Sequence, residues 1–462
     1  MAVEAAFAVP HPPLAVAGVG RGKEAAIAST LDAFKEVARR VKALDPDVVI
    51  LSSPHATSYY DYVHISPGAG ADGDFAAFGD PDDEVRVAYD PELARALELE
   101  AALAGISAGT QGERSRELDH GSMVPLTFLQ AEGVGCPVVR MGLAGYAPLE
   151  HYRLGEAVNR ACERLGRRAV FVASGDLSHK LTADGPYGFA PEAAPFDRLV
   201  CHALATGDFG ELLGADPALV EGAAQCGLKS FLIMAGTLDG RSVDAELLSY
   251  EGPFGVGYAV ASFTPTGPSA ERHFGDAFEM RARDAMARVR AAEDPWVRVA
   301  RESLECWVRD GRAAELPADL PPELAHGRAG AFCSIKKDGE LRGCIGTTDP
   351  TRPTLAQEIA ANAVSAGTRD PRFPAVAPEE LPWLVYSVDV LRPPEPVASE
   401  TDLDPARYGV IVSTPDGRRG LLLPDLPGVD TVEDQVAIAR KKGGIGPAEP
   451  VALERFEVVR HR

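Results

Sequence analysis

Short apolar runs recur through the first half of the chain, at residues 3–9, 47–51, 137–141, 169–173 and 245–250. Each has the length of a strand and is bounded by turn-forming residues. Between them the period changes. Ile27, Leu31, Phe34, Val37, Val41 and Leu44 recur at helical spacing, as do Leu154, Val158 and Leu165, so each series marks one buried helix face. Strands alternating with helices predict an α/β fold around a parallel or mixed sheet.

The pattern changes after Phe263. Residues 264–270 gather Pro, Gly, Thr and Ser without hydrophobic periodicity, the composition of a linker. Beyond it, helical periodicity covers 274–291 and 295–309, and Asp338-Gly339 and Asp416-Gly417 are turn dipeptides expected to close β-hairpins. That mixture predicts an α+β domain. The expected organisation is therefore an α/β domain over 1–265 and an α+β domain over 275–462.

Length agrees with two cores, because 462 residues exceed what a single hydrophobic core normally serves. A net charge of -22 sets up a field that repels nucleic acid and anionic membrane. The seven cysteines contain no CxxC pair, which argues against a disulfide framework or zinc knuckle and for a reducing compartment. The opening stretch has no basic n-region and is interrupted by His11 and prolines, so neither a signal peptide nor a membrane span is expected. A cytoplasmic address follows.

Candidate chemistry gathers where first-half strands end. His11 follows the first strand, His55 the second, and Glu251 the last; strand ends are where α/β sheets bind ligands. Two imidazoles and one carboxylate would leave three positions of an octahedral ion open, a set suited to iron(II) that meets substrate and dioxygen together. His179, closing Ser174-Gly-Asp-Leu-Ser-His179, and His120, in Asp119-His-Gly-Ser122, lie on loops and are candidates for proton transfer.

The segments Val9-Pro-His-Pro-Pro13, Ser53-Pro-His-Ala56, Asp119-His-Gly121, Ser174-Gly-Asp-Leu-Ser-His179 and Tyr250-Glu-Gly-Pro-Phe-Gly-Val-Gly-Tyr258 resemble the LigB family of class III extradiol dioxygenases. The resemblance implies an iron(II) enzyme that opens a catechol or aminophenol ring with dioxygen. It further implies His11, His55 and Glu251 as metal ligands, His179 as the acid/base residue and His120 as a neighbour of bound dioxygen. Glu246 competes with Glu251 for the carboxylate position, and Glu251 is preferred because it stands at the strand end.

Gln225-Cys226-Gly227 also resembles the Cys-Gly motif of the Memo family, which shares the fold. With Cys226 at the metal, a softer ligand set would favour copper or a redox-sensing role, whereas a buried packing cysteine is the plainer expectation. In the second half, Gly339-Glu-Leu-Arg-Gly-Cys-Ile-Gly346, Arg369-Asp-Pro-Arg-Phe373 and Gly420-Leu-Leu-Leu-Pro424 resemble an AMMECR domain. There Arg342 and Cys344 share a strand face and could form an electropositive thiol. Fusions of these modules resemble a system that includes a radical-SAM protein, which that resemblance implies as a partner. Two functions follow: a ring-cleaving dioxygenase, self-associated or not, or a metal-binding module without oxygenase activity.

Overall fold

The computed structural model describes residues 2–426 and 428–462. They pack as two units that divide between Met280 and Arg281.

The first unit is built on a six-stranded sheet. Its strands are β1 (Val3–Val9), β2 (Val48–Ser52), β3 (Val138–Met141), β4 (Ala169–Ser174), β5 (Arg241–Glu251) and β6 (Tyr258–Pro268), in the order β3-β2-β4-β1-β6-β5. The first four run parallel, and β6 and β5 complete the sheet antiparallel. Alternate residues serve different cores. Ala6 and Ala8 of β1 pack on one face while Ala5, Phe7 and Val9 pack on the other, which is why the parallel strands read as nearly continuous apolar runs. Helices α1 (Ala28–Leu44) and α2 (His120–Ala131) cover the second face, and α3 (Pro148–Leu165) and α4 (Leu228–Thr237) cover the first.

The segment expected to be a linker is strand. β6 continues to Pro268, with Pro265 opposite Val243 and Pro268 opposite Arg241. Its pairing with β1 covers Ala261 to Phe263, so beyond Phe263 one edge carries no ladder among the described residues. Proline, which cannot donate a ladder hydrogen bond, is tolerated there. The division between units falls inside α5 (Phe274–Ala291).

The second unit is α+β. One antiparallel sheet has the order β8-β7-β9-β14, from β7 (Ala331–Lys337), β8 (Glu340–Thr347), β9 (Leu384–Leu391) and β14 (Val458–His461). A second has the order β10-β13-β11-β12, from β10 (Glu395–Val397), β11 (Gly409–Ser413), β12 (Arg419–Leu422) and β13 (Ala452–Phe456). Asp338 and Gly339, both at positive φ, close the β7–β8 hairpin, and the turn containing Asp416 and Gly417 closes β11–β12. Helices α6 (Pro295–Asp310) and α7 (Leu355–Thr368) bury residues such as Leu304 and Ile359 on the first sheet, and α8 (Val432–Lys442) buries Val436 and Ala439 on the second. Among the described residues no helix is long and apolar enough to cross a membrane.

Candidate metal centre

Register brings the chemistry together. Val9 lies opposite Ser174, and Ser52 opposite Ala173, so β1, β2 and β4 end at one level and the residues just beyond them share one sheet edge. His11 stands two residues past β1, His55 three past β2, and Asp176 two past β4.

His11 is buried and held from two sides. Its backbone N–H donates to Asp176 Oδ1 at 2.8 Å, and its Nδ1 lies 2.9 Å from Ser174 Oγ. The Ser174 hydroxyl donates its own proton to the Gly121 carbonyl at 2.5 Å. Ser174 can therefore only accept from His11, which puts the imidazole proton on Nδ1 and leaves the Nε2 lone pair free. That Nε2 faces His55 Nε2 at 3.1 Å and Cys226 Sγ at 3.6 Å.

Cys226 reaches the edge from the turn before α4. Its N–H and that of Gly227 both donate to the Asp176 carbonyl, at 3.4 and 3.0 Å, while the Asp176 N–H donates to Cys226 Sγ at 3.2 Å. The two turns nearly touch. A Cβ on Gly175 would stand 2.2 Å from the Gly227 Cα, so the close approach requires glycine.

The donor atoms of His11, His55 and Cys226 all lie within 4.8 Å of one another. Metal bonds of ~2.0–2.1 Å to nitrogen and ~2.3 Å to sulfur, at near-tetrahedral angles, separate two nitrogens by roughly 3.3 Å and nitrogen from sulfur by roughly 3.6 Å. The spacings of 3.1 and 3.6 Å about His11 match these separations, and the His55–Cys226 pair lies within 4.8 Å.

Electrostatics favour neutral imidazoles here. Burial, then the charges of His55, His120 and His179, hold His11 well below the usual histidine range. His120 is pushed down to about 4 by burial and by His55, and burial lowers His55 and His179 as well. Burial also raises the Cys226 thiol and pushes the Asp176 carboxyl up to about 7 against the pull of the His11 N–H. A buried carboxyl and thiol beside uncharged imidazoles form a site whose anionic forms need a cation.

The remaining expected residues are arranged as follows. The His120 ring lies 4.1 Å from that of His55 and 5.3 Å from Phe78, and the His179 ring stacks on Tyr187 at 5.2 Å. Phe78 and Tyr187 are exposed, so two aromatic faces border the cluster. Glu251 stands apart from it. Residing on β5, outside β6, it is two strand spacings or ~10 Å from β1; its carboxylate accepts from the Thr30 N–H and hydroxyl at 2.8 and 2.7 Å, in the first turn of α1, where free N–H groups attract an anion. Glu246 pairs with Arg40 at 2.9 Å. The third donor beside the two histidines is Cys226, and the carboxylate closest in sequence register is Asp176, whose Oδ2 is 3.9 Å from His11 Nε2. Asp176 and Ser174 were readable within the Ser174–His179 motif, but the motif did not say which of its residues face His11.

In the second unit, Arg342 does not activate Cys344. Its guanidinium makes a two-pronged pair with Glu380, at 2.9 Å on each oxygen, and also bonds the Pro374 carbonyl. Cys344 is tied instead by its N–H to Asp370 and by the Ser334 hydroxyl to its sulfur. Arg372 holds Asp370 and the Cys344 carbonyl.

Comparison with known proteins agrees with this division. Residues 5–261 match the family model described as the catalytic LigB subunit of aromatic ring-opening dioxygenase, and residues 297–461 match AMMECR1. A Clostridium acetobutylicum protein is 37% identical over the full length of both chains. A Thermotoga maritima protein is 52% identical over 37% of this chain and 98% of its own. A crystal structure of a Pyrococcus horikoshii protein, 32% identical, covers 36% of this chain and 88% of its own at a TM-score of 0.33. The chain belongs to the LigB family, in a two-domain fusion with an AMMECR1 domain.

Proposed function

We propose that the protein is a mononuclear iron(II) oxygenase that opens a small catechol- or aminophenol-type ring with dioxygen. The observation that carries this is the pairing of His11 Nε2 with His55 Nε2 at 3.1 Å on the sheet edge of a domain that matches the catalytic LigB subunit of aromatic ring-opening dioxygenase. When bound, iron supplies the redox centre that lets a singlet ring react with triplet dioxygen. Both oxygen atoms enter the product, and the carbon–carbon bond beside the diol is broken.

The chain's own groups have definable work in that reaction. His179, kept neutral by burial, can accept a phenolic proton at neutral pH, while His120, pushed down to about 4, stays uncharged beside His55 as the expected neighbour of dioxygen. Phe78 and Tyr187 offer flat apolar faces for a planar ring. The second domain and a radical-SAM partner lie outside this chemistry.

A second function is favoured by one observation, the thiol at the place where a carboxylate was expected. Thiolate ligands suit copper(I) or zinc better than an oxygen-activating iron centre, so a metal-binding module without oxygenase activity is the competing assignment. Anaerobic loading with iron(II), followed by air and a panel of catechols and aminophenols, separates the two. Dioxygen uptake with a coloured ring-opened product, abolished in His11→Ala, supports the oxygenase; tight zinc or copper binding with no uptake from any ring rejects it.

A further inference from the structure

The second unit carries a groove that the metal chemistry does not use. It lies between α6 and α7, has a volume of about 690 Å³, and ends at Arg352 on one side and Arg369 on the other. Its floor is the outward face of α7, where Ala360, Ala361 and Val364 recur at helical spacing. Trp307 of α6 forms one wall and is 37% exposed.

The two arginines set the chemistry of an occupant. In a chain of net charge -22, most arginines of this unit meet a carboxylate, as Arg342 meets Glu380 and Arg418 meets Glu449. Arg352 and Arg369 are exposed, and among the described residues neither guanidinium has a partner. They are free to pair with an anion.

Spacing sets its length. Arg352 precedes α7 by three residues and Arg369 follows it directly, across a helix of 14 residues. At 1.5 Å per helical residue that separation is roughly 20–25 Å, which an extended chain covers in about six or seven residues. A small carboxylic acid reaches one arginine only.

We propose that this groove docks an extended peptide segment of a partner protein, with carboxylate side chains about six residues apart and apolar side chains between them. The carboxylates pair with Arg352 and Arg369, and an apolar side chain packs on Trp307 over the alanine floor, the arrangement of a buried aromatic anchor within a charged rim.

The test is selection of displayed random octapeptides on the immobilised full chain, with Arg352→Glu/Arg369→Glu as counter-target. Both arginines are exposed and unpartnered, so their reversal leaves the fold unchanged, which circular dichroism and retained metal binding check. The expected result is enrichment of peptides with paired acidic residues around an apolar centre. Their synthetic forms should bind the double variant at least about tenfold more weakly and should bind Trp307→Ala more weakly too. Enriched peptides that bind wild type and double variant alike overturn the proposal, as does a failure to enrich any. A groove covered by a second copy of the chain also overturns it, and would appear as concentration-dependent sedimentation abolished by Trp307→Ala.

Discussion

Ser174 determines which nitrogen of His11 carries the proton. Its hydroxyl gives its hydrogen to the Gly121 carbonyl and accepts from Nδ1, leaving Nε2 as the only lone pair aimed at His55 and Cys226. Orienting partners of this kind typically change metal affinity by 10–100-fold when removed. Ser174→Ala is therefore expected to weaken iron or zinc binding by about that factor while the chain stays folded. Titration against a chromophoric chelator measures it, and an affinity equal to wild type would show that the tautomer is set elsewhere.

Cys226 and Glu251 make opposite predictions. Cys226→Ser should lower metal affinity more than about tenfold and remove the sulfur-to-metal charge-transfer absorption of the cobalt(II) form. Glu251→Gln should keep that absorption and full metal stoichiometry, because its carboxylate is engaged with Thr30. It should cost about 1 kcal/mol of stability through weaker interaction at the α1 N-terminus. Loss of the cobalt band in Glu251→Gln, and not in Cys226→Ser, would reverse the ligand assignment.

Asp176 links pH to stability in the metal-free protein. Burial raises its carboxyl from 3.8 to about 7, so the folded chain holds this proton more tightly than the unfolded one. Its contribution is then fully present below about pH 4 and is lost as pH rises to about 7, a difference on the order of 4 kcal/mol. Asp176→Asn keeps an acceptor for the His11 N–H and should raise the metal-free Tm at about pH 8. The gain should shrink near pH 5 and vanish on metal loading. A Tm difference independent of pH would remove Asp176 as the titrating group.

His179→Phe preserves the ring stacked on Tyr187 but removes the titratable nitrogens. Stoichiometric metal should be retained. Turnover of any ring substrate should fall by about 10²–10⁴-fold, the usual contribution of a positioned acid or base. Unchanged turnover would leave His179 as a packing residue.

Much of the architecture is legible from local pattern. The strands around Ala5, Ile50 and Phe171 are apolar on both faces, as only a doubly covered sheet requires, and histidines just past such strands necessarily fall on one edge once the register is parallel. Edge order is not legible in that way. Glu251 ends a strand as His11 does, yet nothing in its periodicity reveals that β6 intervenes between β5 and β1. Cys226 lies on a turn whose position depends on the contact between Gly175 and Gly227, a long-range fit without a periodic signal. The prolines at 265 and 268 suggested a linker for a related reason: a strand edge without a neighbour tolerates the same residues that interrupt strands elsewhere.

Asp176 grips two ligands at once, His11 through its carboxylate and Cys226 through its main chain, and its own position is inherited from the pairing of β1 with β4. His55 is held more simply, its N–H bonding Ser53 Oγ at 3.2 Å. The centre therefore works like a spanner with one fixed jaw and one sliding jaw. Ions of different radius would be fitted by movement of the His55 loop, so exchanging one metal for another should disturb residues 53–55 and leave the Asp176 turn in place.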